Sequence, residues 1–214
     1  DKEFNFWWYR GTIFHIFSIV GFIAQSILTT KGNEIASLEV LISFVRNFFS
    51  DELFWDEETS TKKLVNAGLK ILHSLDVLEF DEFHFTLKPN RTLPSNQEHF
   101  GKENFLNYFT TTIKPELDLY SVIVATSLHY IKHKRSFERD EVLLRSVEVH
   151  DLAYKADKAI NQSSFVKIFG TKAFDALYKS SIFVQDEKQK FTVNTQPISA
   201  LFDFLELKKW NAFL

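Results

Sequence analysis

Seven histidines, at positions 15, 73, 84, 99, 129, 133 and 150, are the side chains of this 214-residue chain whose ordinary pKa suits proton transfer near neutrality. An imidazole that deprotonates a hydroxyl works best with a carboxylate to orient it. The chain has no cysteine, so thiolate nucleophiles, thiolate metal sites and disulfides are excluded. His129 and His133 would share a helix face, as a zinc pair requires. No third ligand follows, and Lys132, Lys134 and Arg135 would repel a cation, so a solvated face and no metal are expected. Asp51, Glu52, Asp56, Glu57 and Glu58 could hold a divalent ion, yet a charged loop beside a helix N-terminus is sufficient reason for them. There is no glycine-rich phosphate loop among six glycines and no Gly-x-Ser-x-Gly elbow, and no cofactor is expected.

The elements around these residues follow from periodicity. Apolar side chains from Ile13 to Leu28 cover most of a helix surface, with His15, Ser18, Gln25, Ser26 and Thr29 near one stripe. A spanning helix needs about 20 consecutive apolar residues, and this run is shorter and holds His and Gln, so it reads as a buried helix. Its flank of Phe4, Phe6, Trp7, Trp8, Tyr9 and Arg10 has the composition of a lipid headgroup boundary, and equally that of an aromatic core corner. The segment Phe4–Leu28 is therefore expected to be buried or docked. Lys31-Gly32-Asn33 breaks it. A second helix is predicted over Glu34–Phe49, and a third after a cap at Ser60 or Thr61, with Leu64, Leu69, Leu72 and Leu75 on its apolar face. Val77–Phe80 and Phe83–Leu87 read as a hairpin, and Pro89–Phe100 as the best linker.

The pattern then returns. A helix around Ser121–Ile131 parallels Ser18–Leu28, helices are predicted over Glu138–Tyr154 and Ser164–Tyr178, and Ile182–Val184 pairs with Phe191–Val193 in a second hairpin. The fold expected is mainly α with two small β-hairpins, built as two tandem winged-helix-like units. Residues 1–88 form the first, 89–104 the linker and 105–214 the second.

Composition bounds the function. With 25 basic and 28 acidic residues the net charge is −3, so no bulk attraction to nucleic acid or anionic lipid exists. The third helix of each unit, where a recognition helix would lie, carries Lys62, Lys63 and Lys70, or Lys167, Lys172 and Lys179, a modest count for a specific DNA binder, and no nucleic-acid partner is expected. With 24 Phe, aromatic burial should dominate the core. Asp1-Lys2-Glu3 ahead of the apolar run does not resemble a signal peptide. The chain holds no methionine, which reads as an excised or processed piece, or else as a listing from which modified methionines were dropped.

Three segments carry a resemblance. Tyr9-Arg10-Gly11-Thr12-Ile13-Phe14-His15, then Phe22-Ile23-Ala24, then Phe48-Phe49-Ser50-Asp51-Glu52-Leu53-Phe54 resemble the membrane-associated glycerol-3-phosphate and dihydroxyacetone-phosphate acyltransferase family. There a Tyr-Arg-Asn-x-x-x-His segment opens the region C-terminal to the acyltransferase domain, an Ile-Ala follows, and a Phe-Leu-x-x-Glu-Leu-Phe segment comes downstream. Gly11 departs from the usual Asn, and Gly21 stands where a bulkier residue or Pro is common. The family uses a His-x4-Asp motif in which Asp orients His as general base. Five residues beyond the seven histidines stand Val20, Leu78, Pro89, Asn104, Lys134, Glu138 and Lys155, none of them Asp, and His133 with Glu138, with Lys134 and Arg135 between, comes nearest. The resemblance therefore implies that the catalytic pair lies elsewhere, in an acyltransferase domain of the same or another chain. This chain would then be a non-catalytic C-terminal accessory region in phospholipid biosynthesis, peripheral to a membrane on its cytoplasmic side. It also singles out Arg10 and His15 as binding residues for the catalytic domain or a phosphate. The residues themselves equally suit a helix-start ion pair for Arg10 and a hydrogen-bonded core position for His15. The alternative function is a tandem winged-helix module binding a protein or nucleic-acid partner.

Overall fold

Where apolar residues recur every three or four positions, the chain is helical. The computed structural model describes residues 18–30, 32–49, 58–88, 105–134, 136–159 and 163–214, which fall into two contact units, Asp1–Ile113 and Lys114–Leu214. The first holds helix α1 over residues 18–29, α2 (Ile35–Phe48), α3 (Thr61–Ser74), strands β1 (Leu78–Phe80) and β2 (Phe85–Leu87), and α4 (Phe105–Thr111). The second holds α5 (Lys114–Lys134), α6 (Arg139–Lys155), α7 (Ser163–Lys179), β3 (Phe183–Gln185), β4 (Phe191–Val193), α8 (Thr195–Leu201) and a 3₁₀ helix, Leu207–Ala212. The protein is mainly helical with two small antiparallel sheets, as its periodicity predicts. The expected linker 89–104 lies outside the described residues, and α4 belongs by its contacts to the first unit.

In the first unit α1 is buried along its described length save for Leu28 and, partly, Ile19 and Thr29. Two residues of its polar stripe bond within the helix: Ser26 Oγ donates to the Phe22 carbonyl at 2.8 Å and Thr29 Oγ1 to that of Gln25 at 2.8 Å. Gly68 of α3 is buried against Ile23, and a Cβ there would overlap that side chain's Cδ1, so glycine sets how closely α1 and α3 approach. Gly21 faces the end of α4, where a Cβ would stand 2.7 Å from Thr112 Oγ1 and 2.8 Å from Ile113 Cγ2. The lack of a side chain at Gly21 thus has a steric reason. Helix α2 buries Ile35, Leu38, Ile42, Val45 and Phe48, one stripe of a 3.6-residue period, and Phe22 and Phe49 meet with ring centroids 5.0 Å apart.

Each unit repeats one local design. Helix α3 ends with Asp76 at φ 60°, Asp76 N–H bonding the His73 carbonyl and Val77 N–H that of Leu72, which closes the last turn before β1. Helix α7 ends the same way: Ser181 has φ 60°, Ser181 N–H bonds Tyr178 and Ile182 N–H bonds Leu177 before β3. The hairpins pair Leu78 with Leu87 through Phe80 with Phe85, and Phe183 with Val193 through Gln185 with Phe191. A single residue ahead of α2, Glu34, bridges to His84, and one ahead of α6, Phe137, bridges to Phe191. Four phenylalanines cluster at the second hairpin: Phe174 lies 4.7 Å from Phe183 and 5.0 Å from Phe191, and Phe137 lies 5.5 Å from Phe183.

Candidate functional site

Arg10 and His15, the two binding residues expected from the sequence, lie outside the described residues, as do Asp51, Glu52, Asp56 and Glu57 of the acidic stretch. Glu58, its last member, is exposed. The polar groups that the structure does bring together are in the second unit. Helix α5 is buried from Leu117 to Ser127, so its polar residues must find partners inside. Lys114, Asp118 and Ser121 stand at i, i+4 and i+7, on one face, and the 3₁₀ helix answers them. Lys209 pairs with Asp118, Lys114 pairs with Glu206, and Trp210 Nε1 donates to Ser121 Oγ at 2.8 Å. Asp118 is fully buried. The Lys209 ammonium also lies 4.5 Å from the centroid of Trp210, and burial pulls its pKa down although Asp118 pulls it up.

His150 of α6 stacks on Trp210, the rings 5.8 Å apart at 29°. It is fully buried, and neither ring nitrogen has a hydrogen-bond partner among the described residues. Burial holds its pKa down at about 4, helped by the Lys209 charge and opposed by Asp151. Ser121, His150 and Asp118 are the residue types of a hydrolytic triad, but their bonds run elsewhere. Ser121 Oγ donates to the Asp118 carbonyl and accepts from Trp210, while Asp118 is taken by Lys209. A nucleophile must hydrogen-bond its base, and the base its orienting acid. The cluster meets neither condition and serves to fasten the 3₁₀ helix to α5 and α6. Sequence reasoning passed it over, although three polar residues on one face of an otherwise apolar helix were a signal.

The His129 and His133 rings lie 4.6 Å apart, half-buried and exposed respectively. Burial, then His133, Arg145 and Lys132, hold the His129 pKa below the ordinary value, the electrostatics of a place that rejects cations. Among the described residues no group of three or more His, Asp or Glu could hold a metal ion. The lysines of α3 (Lys62, Lys63, Lys70) and α7 (Lys167, Lys172, Lys179) are all exposed.

The resemblance carried by Tyr9–His15, Phe22–Ala24 and Phe48–Phe54 is matched by an independent comparison. The chain belongs to the family described as the glycerol-3-phosphate acyltransferase C-terminal region, whose model matches residues 1–186. Residues 187–214, and with them Glu206, Lys209 and Trp210, lie beyond the match. No curated protein sequence matches the chain.

Proposed function

We propose that this chain is the non-catalytic accessory region of a glycerol-3-phosphate O-acyltransferase in phospholipid biosynthesis. It packs against an acyltransferase domain, of its own or another chain, at the cytoplasmic surface of a membrane. The family match over residues 1–186 is the observation that carries this reading. Three further facts support it. The sequence holds no His-x4-Asp pair to generate an alkoxide from glycerol 3-phosphate. The Ser121, His150 and Asp118 cluster is sealed and wired for structure. Among the described residues no helix is long and apolar enough to cross a membrane, in keeping with peripheral attachment. Arg10 and His15, at the family's opening segment, are the residues proposed to meet the catalytic domain or a phosphate.

The test is acyl transfer from acyl-CoA or acyl-carrier protein to glycerol 3-phosphate. The purified 214-residue chain should show no turnover, and an acyltransferase domain should lose activity when this region is removed. Turnover by the chain alone, abolished on replacing one histidine, would overturn the reading. The second reading, a tandem winged-helix module, is favoured by the repeated order of helix, bridge residue, two helices and hairpin in the two units. It predicts partner binding through α3 and α7.

A further inference from the structure

A groove of about 330 Å³ opens between α6 and α7 of the second unit, walled by Asp140, Leu143, Leu144 and Val147 on one side and by Lys167 and Thr171 on the other. We infer that this face is where two copies of the chain meet, about a two-fold axis. Its apolar content is concentrated rather than scattered. Leu144 is 69% exposed, and Ile168, next to Lys167 on α7, is 65% exposed. They are two of the three most exposed large apolar side chains among the described residues, and they flank one groove. Leu143 lies across Gly170, where a Cβ would stand 3.3 Å from it, so the missing side chain keeps the groove deep enough to receive a side chain from outside.

Charge selects the occupant. Asp140 and Lys167 are both exposed, and neither has an ion-pair partner among the described residues although both line the groove. Their neighbours are already engaged: Arg139 pairs with Asp175 and donates to the Thr171 carbonyl, and Glu141 pairs with Lys134. Exposed Glu138 extends the acid at the start of α6, and exposed Lys172 extends the base along α7. A ligand or partner of a single sign would meet a like charge on one wall or the other. A second copy brings both signs. In a two-fold contact, residue i of one copy meets residue j of the other and j meets i. An axis lying in the face, across the midpoint between Asp140 and Lys167, sets each Asp140 against the other copy's Lys167. Two ion pairs then close around an apolar centre, the arrangement of stable interfaces. Leu144, one turn along α6 from Asp140, is covered by the opposite groove. The inference uses only the groove and its charges, and does not depend on the accessory role proposed above.

Sedimentation equilibrium of the 214-residue chain over a range of concentrations tests it. The mass should climb from that of one chain, 25.1 kDa, to that of two and no further. Leu144→Asp should weaken the association about tenfold or more, and so should Asp140→Lys or Lys167→Glu alone, because each reversal sets like charges against each other across the axis. The decisive measurement mixes the two reversed chains. The first carries two cations on this face and the second two anions, so they should dimerise with each other while neither does so with itself. The double variant in one chain should dimerise again. Such rescue requires both variants to be folded, which separates a lost contact from a lost structure. A chain that stays monomeric at every concentration, assembly beyond two copies, indifference to the reversals, or weakening that neither mixing nor the double variant restores would overturn the proposal. A monomeric chain would leave the accessory reading untouched, since no acyl transfer is measured here.

Discussion

A buried charge is stable only in company, and buried Asp118 pairs with Lys209. Asp118→Ala should cost about 3 kcal/mol, the lower end of what removing one partner of a buried pair costs, because Lys209 keeps some contact with water. The double change Asp118→Leu with Lys209→Met should regain most of it, as chemical denaturation of the four proteins in the cycle would show. His150 gives a pH signature. Its native pKa of about 4 lies below the ordinary 6.5 that the unfolded chain restores. Between those values the unfolded state takes up a proton that the native state refuses, so stability is complete above pH 6.5 and falls as pH drops toward 4. The loss is roughly 3 kcal/mol. His150→Phe, which keeps the stacking on Trp210, should flatten this slope in denaturation measured at pH 4.5, 6 and 7.5. An equal slope in both proteins would refute the assignment. At this scale the sequence was a poor guide. It exposed what is missing, the His-x4-Asp pair and the third metal ligand, because those are matters of spacing. It did not reveal that Asp118 would meet Lys209, since nothing local joins residues that far apart in the chain.

Elements were far more legible, because they rest on local periodicity and capping. Ser60 caps α3 as its position predicts, accepting from the Lys63 N–H at 3.3 Å, and Ser60→Ala should lower stability by about 1 kcal/mol. The predicted hairpins form in both units, each a residue or so shorter or shifted. What escaped were the short helices. Helices α4 and α8 have seven residues each, too few to show a period, and the 3₁₀ helix offers none of the 3.6-residue kind. Helix α5 is longer than its apolar stretch because Lys114-Pro115-Glu116 begins it with polar and proline residues. Gly21 shows two opposed effects at one helix position. Alanine is the better helix former by about 1 kcal/mol, but its methyl would press on Thr112, Ile113 and the Phe109 carbonyl, 3.0 Å away. Overpacking of this kind costs about 1–3 kcal/mol, so Gly21→Ala should lower the melting temperature, and an increase would show that α4 yields easily.

For the whole molecule, the acidic balance of −3 predicts that duplex DNA binds only at low salt, falling away steeply as ions are added. A sequence-selective complex retained at physiological salt would favour the winged-helix module over the accessory region. The fastening of the 3₁₀ helix carries another consequence, about where this domain ends. The family match ends at residue 186, yet Trp210, Leu205 and Phe204 fill the second unit's interior, with Lys209 half-buried against Asp118. The edge of the family match and the edge of cooperative folding are therefore different lines. A chain cut after Asp186 would retain all the matched sequence and lose β4, the counter-ion of Asp118 and the indole over His150. It should be recovered, if at all, with α5 open to proteases, so a domain map drawn from relatedness alone would divide a single folding unit.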